Sequence, residues 1–412
     1  MNFKDLPQEA YVWIWLPGAT EPVVAGLLSR QDGALAFNYG KSYLERTHAI
    51  PIYEPELPLK SGVLPLLNDL SMPNCIRDAA PDAWGRRVLL YRSKNKAGGQ
   101  AELDELVCLL DSGSDRVGAL DFQRSPTEYV SRQGAHASLE ALMESTERVQ
   151  AGLPFSSALD QALQHGTSIG GARPKVMIES DDKKYIAKFS SSADAYNVVK
   201  AEYIAMRLAK LVGIEVAPVK LEKTMGKDVL LIERFDRVKT NYGWQRKAMV
   251  SALTILGLGE MQARYASYED LAEIVRSRFT DSGNTLRELF SRVVFNILCG
   301  NTDDHARNHA AFWDGDYLTL TPAYDICPQS RTGNEASQAM LIIGQNRMSK
   351  SSVCLEAAHK FLLSASEARE IIEQQRCGID ENWEKVCDEA KLTTVERKQF
   401  MGRQFLNPYI SW

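Results

Sequence analysis

The sequence lacks the patterns by which cysteine and histidine usually build structural sites. Its 412 residues include seven cysteines, an odd number with no CxxC pair, and six scattered histidines with no HExxH motif. We therefore expect neither a disulfide framework nor a zinc site. Cysteine usage of this kind is typical of a reducing cytoplasm.

Long apolar segments and an excess of positive charge are also absent. No apolar run reaches the roughly 18 residues that a membrane-spanning helix needs, and the start of the chain, MNFKDLPQEAYVWIW, does not resemble a secretory signal. Lys and Arg number 48 against 53 Asp and Glu, so the net charge is −5, which argues against direct DNA binding. We expect a cytoplasmic protein of two or three domains.

The order of predicted elements indicates an α+β protein with a two-lobed, protein-kinase-like fold. A β-rich N-terminal subdomain is predicted from strands at 11–16, 22–29 and 34–39, followed by helices at 82–93, 101–111 and 137–150. Strands at 174–180 and 184–189, a helix at 193–212 and strands at 216–222 and 228–235 form the order expected of a kinase small lobe. Beyond residue 240 the chain is predicted to be mostly helical apart from 296–328, with capping boxes at Ser364/Glu367 and Thr393/Glu396.

The segment 296–328 contains the residues most directly suited to phosphoryl transfer. Asp303 and Asn308 are separated by four residues, and Asp325 follows a short apolar strand. Phosphoryl transfer needs one group to orient and deprotonate the attacking hydroxyl, and oxygen ligands that hold Mg²⁺ against the phosphates of ATP. A polar loop is the simpler alternative, but a cluster of charges that also includes His305 and Arg307 favours a functional site.

Four features upstream could provide a nucleotide site, in the order that a kinase uses them. They are a glycine loop at 168–175 (SIGGARPK), a strand lysine, a helix glutamate, and a possible hinge with the sequence ERFD. Each has a simpler alternative, namely a tight turn, a solvated strand end, an ordinary helix residue and a strand-to-loop junction. The predicted ATP-binding residues of the whole chain are Ser168, Gly170, Gly171, Lys175, Lys188, Glu202, Glu233, Phe235, His305 and Arg307.

Several of these motifs together resemble the HipA kinases, the toxin components of HipA–HipB toxin–antitoxin systems. The resemblance rests on GNTDDHARNHA, LTPAYDI, SIGGARPK, ERFDR and PDAWGRR, and more loosely on the N-terminal region. It implies a Ser/Thr protein kinase that uses ATP and Mg²⁺, with Asp303 as catalytic aspartate, Asn308 and Asp325 as metal ligands, and Lys188 as ATP-binding lysine. In this family a serine of the phosphate loop can be autophosphorylated, and Ser168 is at the matching position.

The resemblance also implies a biological setting and a domain division. It predicts a growth-inhibiting toxin that phosphorylates a cytosolic protein such as an aminoacyl-tRNA synthetase, with a HipB-like helix-turn-helix partner. Residues 1–125 are predicted as the N-terminal subdomain, 126–236 as the small lobe and 237–412 as the large lobe. Residues 246–257 differ from the acidic segment of many members, which favours a divergent branch. A small-molecule or lipid kinase, and a pseudokinase that acts as co-repressor, are the alternatives.

Overall fold

The chain forms two compact units, each assembled from separate stretches of sequence. The computed structural model describes residues 6–96, 104–132, 138–151, 153, 173–180, 182–190, 194, 196–331, 333 and 335–411. Unit 1 comprises Met1–Phe189, Lys223–Val250 and Trp313–Asp316, and unit 2 comprises Ser190–Glu222, Ser251–Phe312 and Tyr317–Trp412. The division at 125 and 236 therefore stays a prediction.

Unit 1 begins with a five-stranded antiparallel sheet. Its spatial order is Val63–Leu64, Ala34–Tyr39, Val23–Gln31, Glu9–Ile14 and Leu120–Gln123. Aromatic and β-branched residues are dense in these strands, as expected for a half-buried pleated surface. The three strands predicted near the N-terminus are confirmed within a few residues. The strand Leu120–Gln123 was not predicted, and it adds to the sheet beside Glu9–Ile14.

A second antiparallel sheet in unit 1 has a helix on one of its faces. Lys183–Phe189 pairs with Lys175–Ser180 on one side and with Lys227–Glu233 on the other. Because side chains alternate between the faces of a strand, one face presents a set of apolar residues to the helix Leu139–Ala151. That core cluster consists of Leu142, Met143, Val176, Tyr185, Ala187, Phe189, Val229 and Leu231.

Short helices and a hairpin complete unit 1. The helices are Lys41–Leu44, Asn74–Arg77, Ala83–Lys96 and Glu105–Asp111, and the hairpin strands are Arg237–Thr240 and Gly243–Arg246. Three further strands, Val219–Thr224, Met249–Ser251 and Ala310–Trp313, contain residues at which the chain passes from one unit to the other.

Unit 2 is mostly helical. Its α-helices are Val198–Leu211, Ala252–Ile255, Tyr268–Arg278, Ser282–Cys299, Ser351–Ala357, Ala365–Glu389 and Thr394–Phe400, with the strand Leu318–Leu320. Short 3₁₀-helices occur at Glu260–Tyr265, Ala306–Asn308, Ala358–Phe361 and Pro408–Ser411. Within the described ranges, no helix is both long and apolar enough to cross a membrane.

Both predicted capping boxes are confirmed, whereas one prediction about the second half of the chain is wrong in part. Ser364 and Thr393 each accept a hydrogen bond from the backbone N–H of the glutamate three residues later, and that glutamate bonds back to the cap. Beyond Thr240, however, the strands Gly243–Arg246 and Met249–Ser251 stand where helix was expected. Strands of three or four residues are too short to show a periodicity.

Candidate active site

The loop with the Asp-x4-Asn spacing begins where the helix Ser282–Cys299 ends. Gly300 ends the helix in the left-handed conformation, with φ of 72°, a conformation that favours glycine because a side chain is strained there. A Cβ at this position would also lie 2.5 Å from the backbone oxygen of Gln404. The fold therefore requires glycine at the point where the chain turns towards Asp303.

The second aspartate of the loop, Asp304, is a structural residue. It is 2 % exposed and accepts a hydrogen bond from the side-chain amide of Asn296 at 2.7 Å. His309 Nε2 lies 3.0 Å from its carboxylate and 3.1 Å from the Tyr268 hydroxyl, and the Asn301 amide donates to Asn296 Oδ1 at 3.0 Å. This buried network joins both ends of the loop, Asn301 and His309, to Asn296 of the helix Ser282–Cys299.

Asp303 differs from its neighbour, because it is exposed. The Asn308 side-chain amide donates to the backbone oxygen of Asp303 at 3.3 Å, and the Asn308 N–H donates to the His305 backbone oxygen at 2.8 Å. These two bonds close the loop on itself. The structure therefore brings Asp303 and Asn308 together on one short loop, with the Asp303 side chain open to a substrate.

Asp325 follows a segment that is fixed to the same loop. The Tyr324 hydroxyl donates to the backbone oxygen of Arg307 at 2.7 Å, so the residues preceding Asp325 and Asn308 are in direct contact. The N–H of Ala323 also donates to the backbone oxygen of Glu215 at 2.8 Å. Asp325 itself has φ of 59°. A non-glycine residue in the left-handed region is uncommon, and such residues cluster at functional sites.

The remaining predicted residues of unit 2 have mixed surroundings. His305 has a buried Nδ1 that bonds to nothing in the described part of the chain, which is unusual for a buried polar atom. Arg307 forms an ion pair with Glu260 at 2.5 Å. Glu202 is 2 % exposed on the helix Val198–Leu211. Its predicted ion pair with Lys188 stays a prediction.

In unit 1, Lys175 and Lys188 lie directly opposite each other on paired antiparallel strands. Their relative exposures are only 4 % and 8 %. Residues opposite each other share a face of the sheet, and this is the face away from the helix Leu139–Ala151, because Val176 and Ala187 point to the helix. Like charges placed directly opposite each other are destabilising.

Charged side chains of the ERFDR motif form a buried ion cluster with the N-terminal region. Arg234 and Arg237 each lie 2.9 Å from an Asp115 carboxylate oxygen, Asp236 accepts from Arg234 at 2.8 Å, and the Gly118 N–H donates to Asp236 at 2.8 Å. Burial alone would raise the pKa of both carboxyls, but the arginines lower that of Asp115 well below its usual range and that of Asp236 to about 2.

This arrangement gives ERFDR a structural role that the sequence did not predict. The predicted hinge residues Glu233 and Phe235 lie at the same strand end, where Glu233 accepts from Lys183 at 2.6 Å. Their contact with adenine stays a prediction. The predicted phosphate-loop residues Ser168, Gly170 and Gly171 lie outside the described residues.

Two residues of the PDAWGRR motif were missed as parts of the site. Asp82 lies 3.8 Å from Lys175 Nζ, and the Trp84 indole N–H donates to the Lys175 backbone oxygen at 3.1 Å. The motif contributed to the family resemblance without suggesting a role for either residue. A possible signal was an aspartate and, two residues later, a tryptophan at the start of a predicted helix, although 91 positions separate Trp84 from Lys175.

Asn308 and Asp325 have the ligand chemistry that Mg²⁺ prefers, namely amide and carboxylate oxygens. Within the described residues, no group of three or more His, Cys, Asp or Glu side chains converges as a metal site. Two protein ligands are nevertheless enough for Mg²⁺ bound with a nucleotide, because the ion keeps several waters and takes phosphate oxygens. Within unit 2, the His305 Nδ1 that lacks a partner in the described part of the chain also fits a polar ligand.

Comparison with known families accounts for most of the chain. Residues 15–123 match the HipA N-terminal domain, and residues 167–383 match the HipA-like C-terminal domain. The fold is similar to that of HipA in a Shewanella oneidensis complex of HipA, HipB and operator DNA. The two chains superpose with a TM-score of 0.70 at 18 % identity, over 97 % of this chain and 99 % of that one. The predicted α+β class is thereby confirmed.

Relatives in sequence are kinases or are named as candidate kinases. A Sinorhizobium fredii protein named as a candidate kinase, Y4mE, is 26 % identical over 76 % of each chain. The Shewanella oneidensis serine/threonine-protein kinase toxin HipA is 24 % identical over 39 % of this chain and 42 % of that protein. The N-terminal and C-terminal domain matches together confirm the resemblance seen in the sequence, and the chain belongs to the HipA family.

Proposed function

We propose that this chain is a serine/threonine protein kinase that depends on ATP and Mg²⁺. The observation that carries the proposal is the contrast between two adjacent aspartates. Asp304 is buried in a hydrogen-bond network, whereas Asp303 is exposed beside Asn308. A carboxylate that is held on a rigid loop and left open to solvent can accept a proton from a substrate hydroxyl.

In the proposed reaction, Asp303 orients the serine or threonine hydroxyl of the acceptor and takes its proton. The hydroxyl oxygen forms a bond to the γ-phosphorus of ATP, the bond from that phosphorus to the β–γ bridging oxygen breaks, and ADP leaves. The rigid attachment of the loop to Asn296 keeps the carboxylate in position during this step. Such positioning is the main contribution of protein groups to phosphoryl transfer.

Asn308 and Asp325 are the proposed Mg²⁺ ligands. When bound, Mg²⁺ would neutralise negative charge on the phosphates. The Tyr324–Arg307 hydrogen bond supports this assignment, because it joins the two segments that carry the ligands. The left-handed backbone at Asp325 supports it as well, since strain of this kind is retained where a side chain must be aimed at a ligand.

Lys188 and Lys175 are proposed to bind the phosphates of ATP together with the loop residues Ser168, Gly170 and Gly171. Two nearly buried ammonium groups on one face of a sheet are suited to a ligand of high negative charge. Glu202 is the proposed partner of Lys188, His305 and Arg307 are proposed to lie against the nucleotide, and Glu233 and Phe235 are proposed to border the adenine ring.

The family suggests a toxin that phosphorylates a protein substrate such as an aminoacyl-tRNA synthetase, and a HipB-like DNA-binding partner. The support is the name of the Shewanella relative as a kinase toxin and the complex of HipA with HipB and operator DNA. With a net charge of −5, contact with DNA is more readily assigned to the partner than to this chain.

Labelled ATP distinguishes a protein kinase from a small-molecule kinase. Wild-type protein and Asp303→Asn are each incubated with γ-labelled ATP, Mg²⁺ and a bacterial lysate, which is then separated into protein and metabolite fractions. Label in a protein band with wild type alone supports the proposal. Label that is transferred only to metabolites supports a small-molecule kinase. ATP binding without transfer of label to either fraction would contradict kinase activity altogether.

A further inference from the structure

Two nearby residues at the start of one helix both contact Lys175. The helix Ala83–Lys96 begins directly after Asp82, whose carboxylate is 3.8 Å from Lys175 Nζ. Trp84, 1 % exposed and packed with Val88 and Val149, donates its indole N–H to the Lys175 backbone oxygen at 3.1 Å. The helix therefore contacts both the backbone and the side chain of this lysine.

The two carboxylate oxygens of Asp82 have different surroundings. Oδ1 accepts a hydrogen bond from the Gly85 N–H at 3.0 Å, which is the ordinary role of an aspartate that caps a helix. Oδ2 is buried and accepts no hydrogen bond within the described part of the chain, and its ionic partner there is Lys175. Capping explains one oxygen only, so the second oxygen requires another role.

The ionised form of the Asp82 carboxyl is disfavoured by its burial. Burial raises the pKa of Asp82 to about 6, against the opposing effect of the Lys175 ammonium group. At neutral pH the carboxyl is therefore mostly ionised, in surroundings that disfavour the charge. An asparagine would cap the helix equally well without that cost. A charge kept under these conditions is a candidate for a functional role.

We propose that Asp82 is a positioning residue that holds the Lys175 ammonium group for the phosphates of ATP, so that the N-terminal domain completes the nucleotide site. The inference rests on the proposed function, because it requires that Lys175 binds ATP. Lys188 lies directly opposite Lys175 on the paired strand, so the Asp82 carboxylate also keeps one of two neighbouring lysines in a defined place. Asp82 acts through Lys175 and is not itself assigned a contact with the nucleotide.

The test compares Asp82→Asn with Asp104→Asn in the full chain. Asp104 caps the helix Glu105–Asp111 and forms an ion pair with Arg30. Asp104→Asn therefore resembles Asp82→Asn in that it keeps a capping residue and loses an ion pair, but its ion pair does not involve Lys175. The affinity for MgATP is measured by calorimetry, kcat/KM by phosphoryl transfer, and folding by thermal unfolding. We expect Asp82→Asn to reduce kcat/KM for ATP about ten- to a hundredfold, as misplaced groups do, and Asp104→Asn to behave like wild type.

A double variant separates positioning from a structural role. If Asp82 acts through Lys175, adding Asp82→Asn to Lys175→Ala should cause no further loss, because interacting residues are not additive. Fully additive losses would contradict the inference. If Asp82→Asn does not fold, Asp82→Ser provides a second variant with a good capping residue, and the same comparison is made with it.

The outcome also distinguishes this inference from the proposed function. If Lys188→Ala weakens MgATP binding while Asp82→Asn matches Asp104→Asn, the inference is wrong and the proposed function stands. If neither Lys175→Ala nor Lys188→Ala changes the affinity for MgATP, the proposed nucleotide site is wrong, and the inference is overturned with it.

Discussion

The Asp304 carboxylate lies 3.0 Å from His309 Nε2 in the interior of unit 2, while the adjacent Asp303 faces solvent. One aspartate is therefore committed to holding the loop, and the other is available for chemistry. The two substitutions Asp303→Asn and Asp304→Asn should consequently have different effects, even though each removes one negative charge from neighbouring positions.

Asp303→Asn should lower phosphoryl transfer by about 10²–10⁴-fold, the usual contribution of a general base, with an unchanged melting temperature. Asp304→Asn should instead lower the free energy of unfolding by about 1–3 kcal/mol, because buried donors lose a charged acceptor. Steady-state kinetics and thermal unfolding of both variants check this. If Asp304→Asn were inactive and stable while Asp303→Asn kept its activity, the assigned register would be wrong.

Asp325→Asn should weaken the binding of ATP in the presence of Mg²⁺ and leave binding without Mg²⁺ nearly unchanged. The reason is that the variant replaces a charged oxygen ligand, which Mg²⁺ prefers, with a neutral amide. Calorimetric titration of ATP with and without Mg²⁺ makes the comparison, and Asn308→Ala should cause a smaller loss. Equal MgATP affinity for wild type and Asp325→Asn would remove Asp325 from the metal site.

Lys188→Ala should raise KM for ATP and lower kcat, because its ammonium group would contact the phosphates in the ground state and contact them more strongly in the transition state. Lys227→Ala provides the control on the neighbouring strand of the same sheet. Its side chain is 38 % exposed and paired with Glu147, which is assigned no part in the site, so its loss should change neither constant. Unchanged kinetics for Lys188→Ala would leave Lys175 as the candidate lysine.

Asp236→Asn should lower the free energy of unfolding by about 3 kcal/mol at pH 7, since breaking a buried ion pair leaves charges without partners. The exposed pair of Asp111 with Arg124 provides the control, because Asp111→Asn should cost less than about 1 kcal/mol. The pKa of Asp236 in the folded protein is about 2, which is below its usual value, so the ionised carboxylate contributes to the free energy of unfolding at neutral pH. This contribution is lost as the pH falls through about 4 to 2. The difference in the free energy of unfolding between wild type and Asp236→Asn should therefore become smaller in acid.

Ser168→Asp should lower the activity if phosphorylation of the glycine loop switches the kinase off. A phosphate there would add about −1.5 to −2 charges beside the phosphates of ATP, which would repel it. Mapping of phosphorylated sites by mass spectrometry after incubation with MgATP tests whether the modification occurs. A fully active Ser168→Asp, together with an unmodified loop during turnover, would contradict this regulation.

The sequence was most informative where neighbouring residues determine the structure. The capping boxes at Ser364 and Thr393 and the strands that contain Lys175 and Lys188 depend on patterns a few residues long, and they were predicted. The spacing of Asp303 and Asn308 identified the loop, but it could not show which of two adjacent aspartates is buried. That difference depends on Asn296 and His309, whose approach to Asp304 is set by tertiary packing.

Contacts distant in sequence were beyond prediction for the same physical reason. Asp115 and Arg234 are separated by 119 positions, and neither has a periodicity that links it to the other. The roles of Asp82 and Trp84 depend likewise on a strand far along the chain. In these cases the sequence shows the charge or the aromatic ring, and only the fold shows its partner.

The ion cluster of Asp115 with Arg234 and Arg237 limits how this chain can exchange domains with other HipA proteins. Asp115 lies in the stretch that matches the HipA N-terminal domain, and both arginines lie in the stretch that matches the C-terminal domain. A recombination that replaced only one of the two domains could leave the buried guanidinium groups of Arg234 and Arg237 without their carboxylate partner. The two domains are therefore expected to be inherited and exchanged as one piece, and a hybrid gene should yield folded protein only when it carries both halves of the cluster.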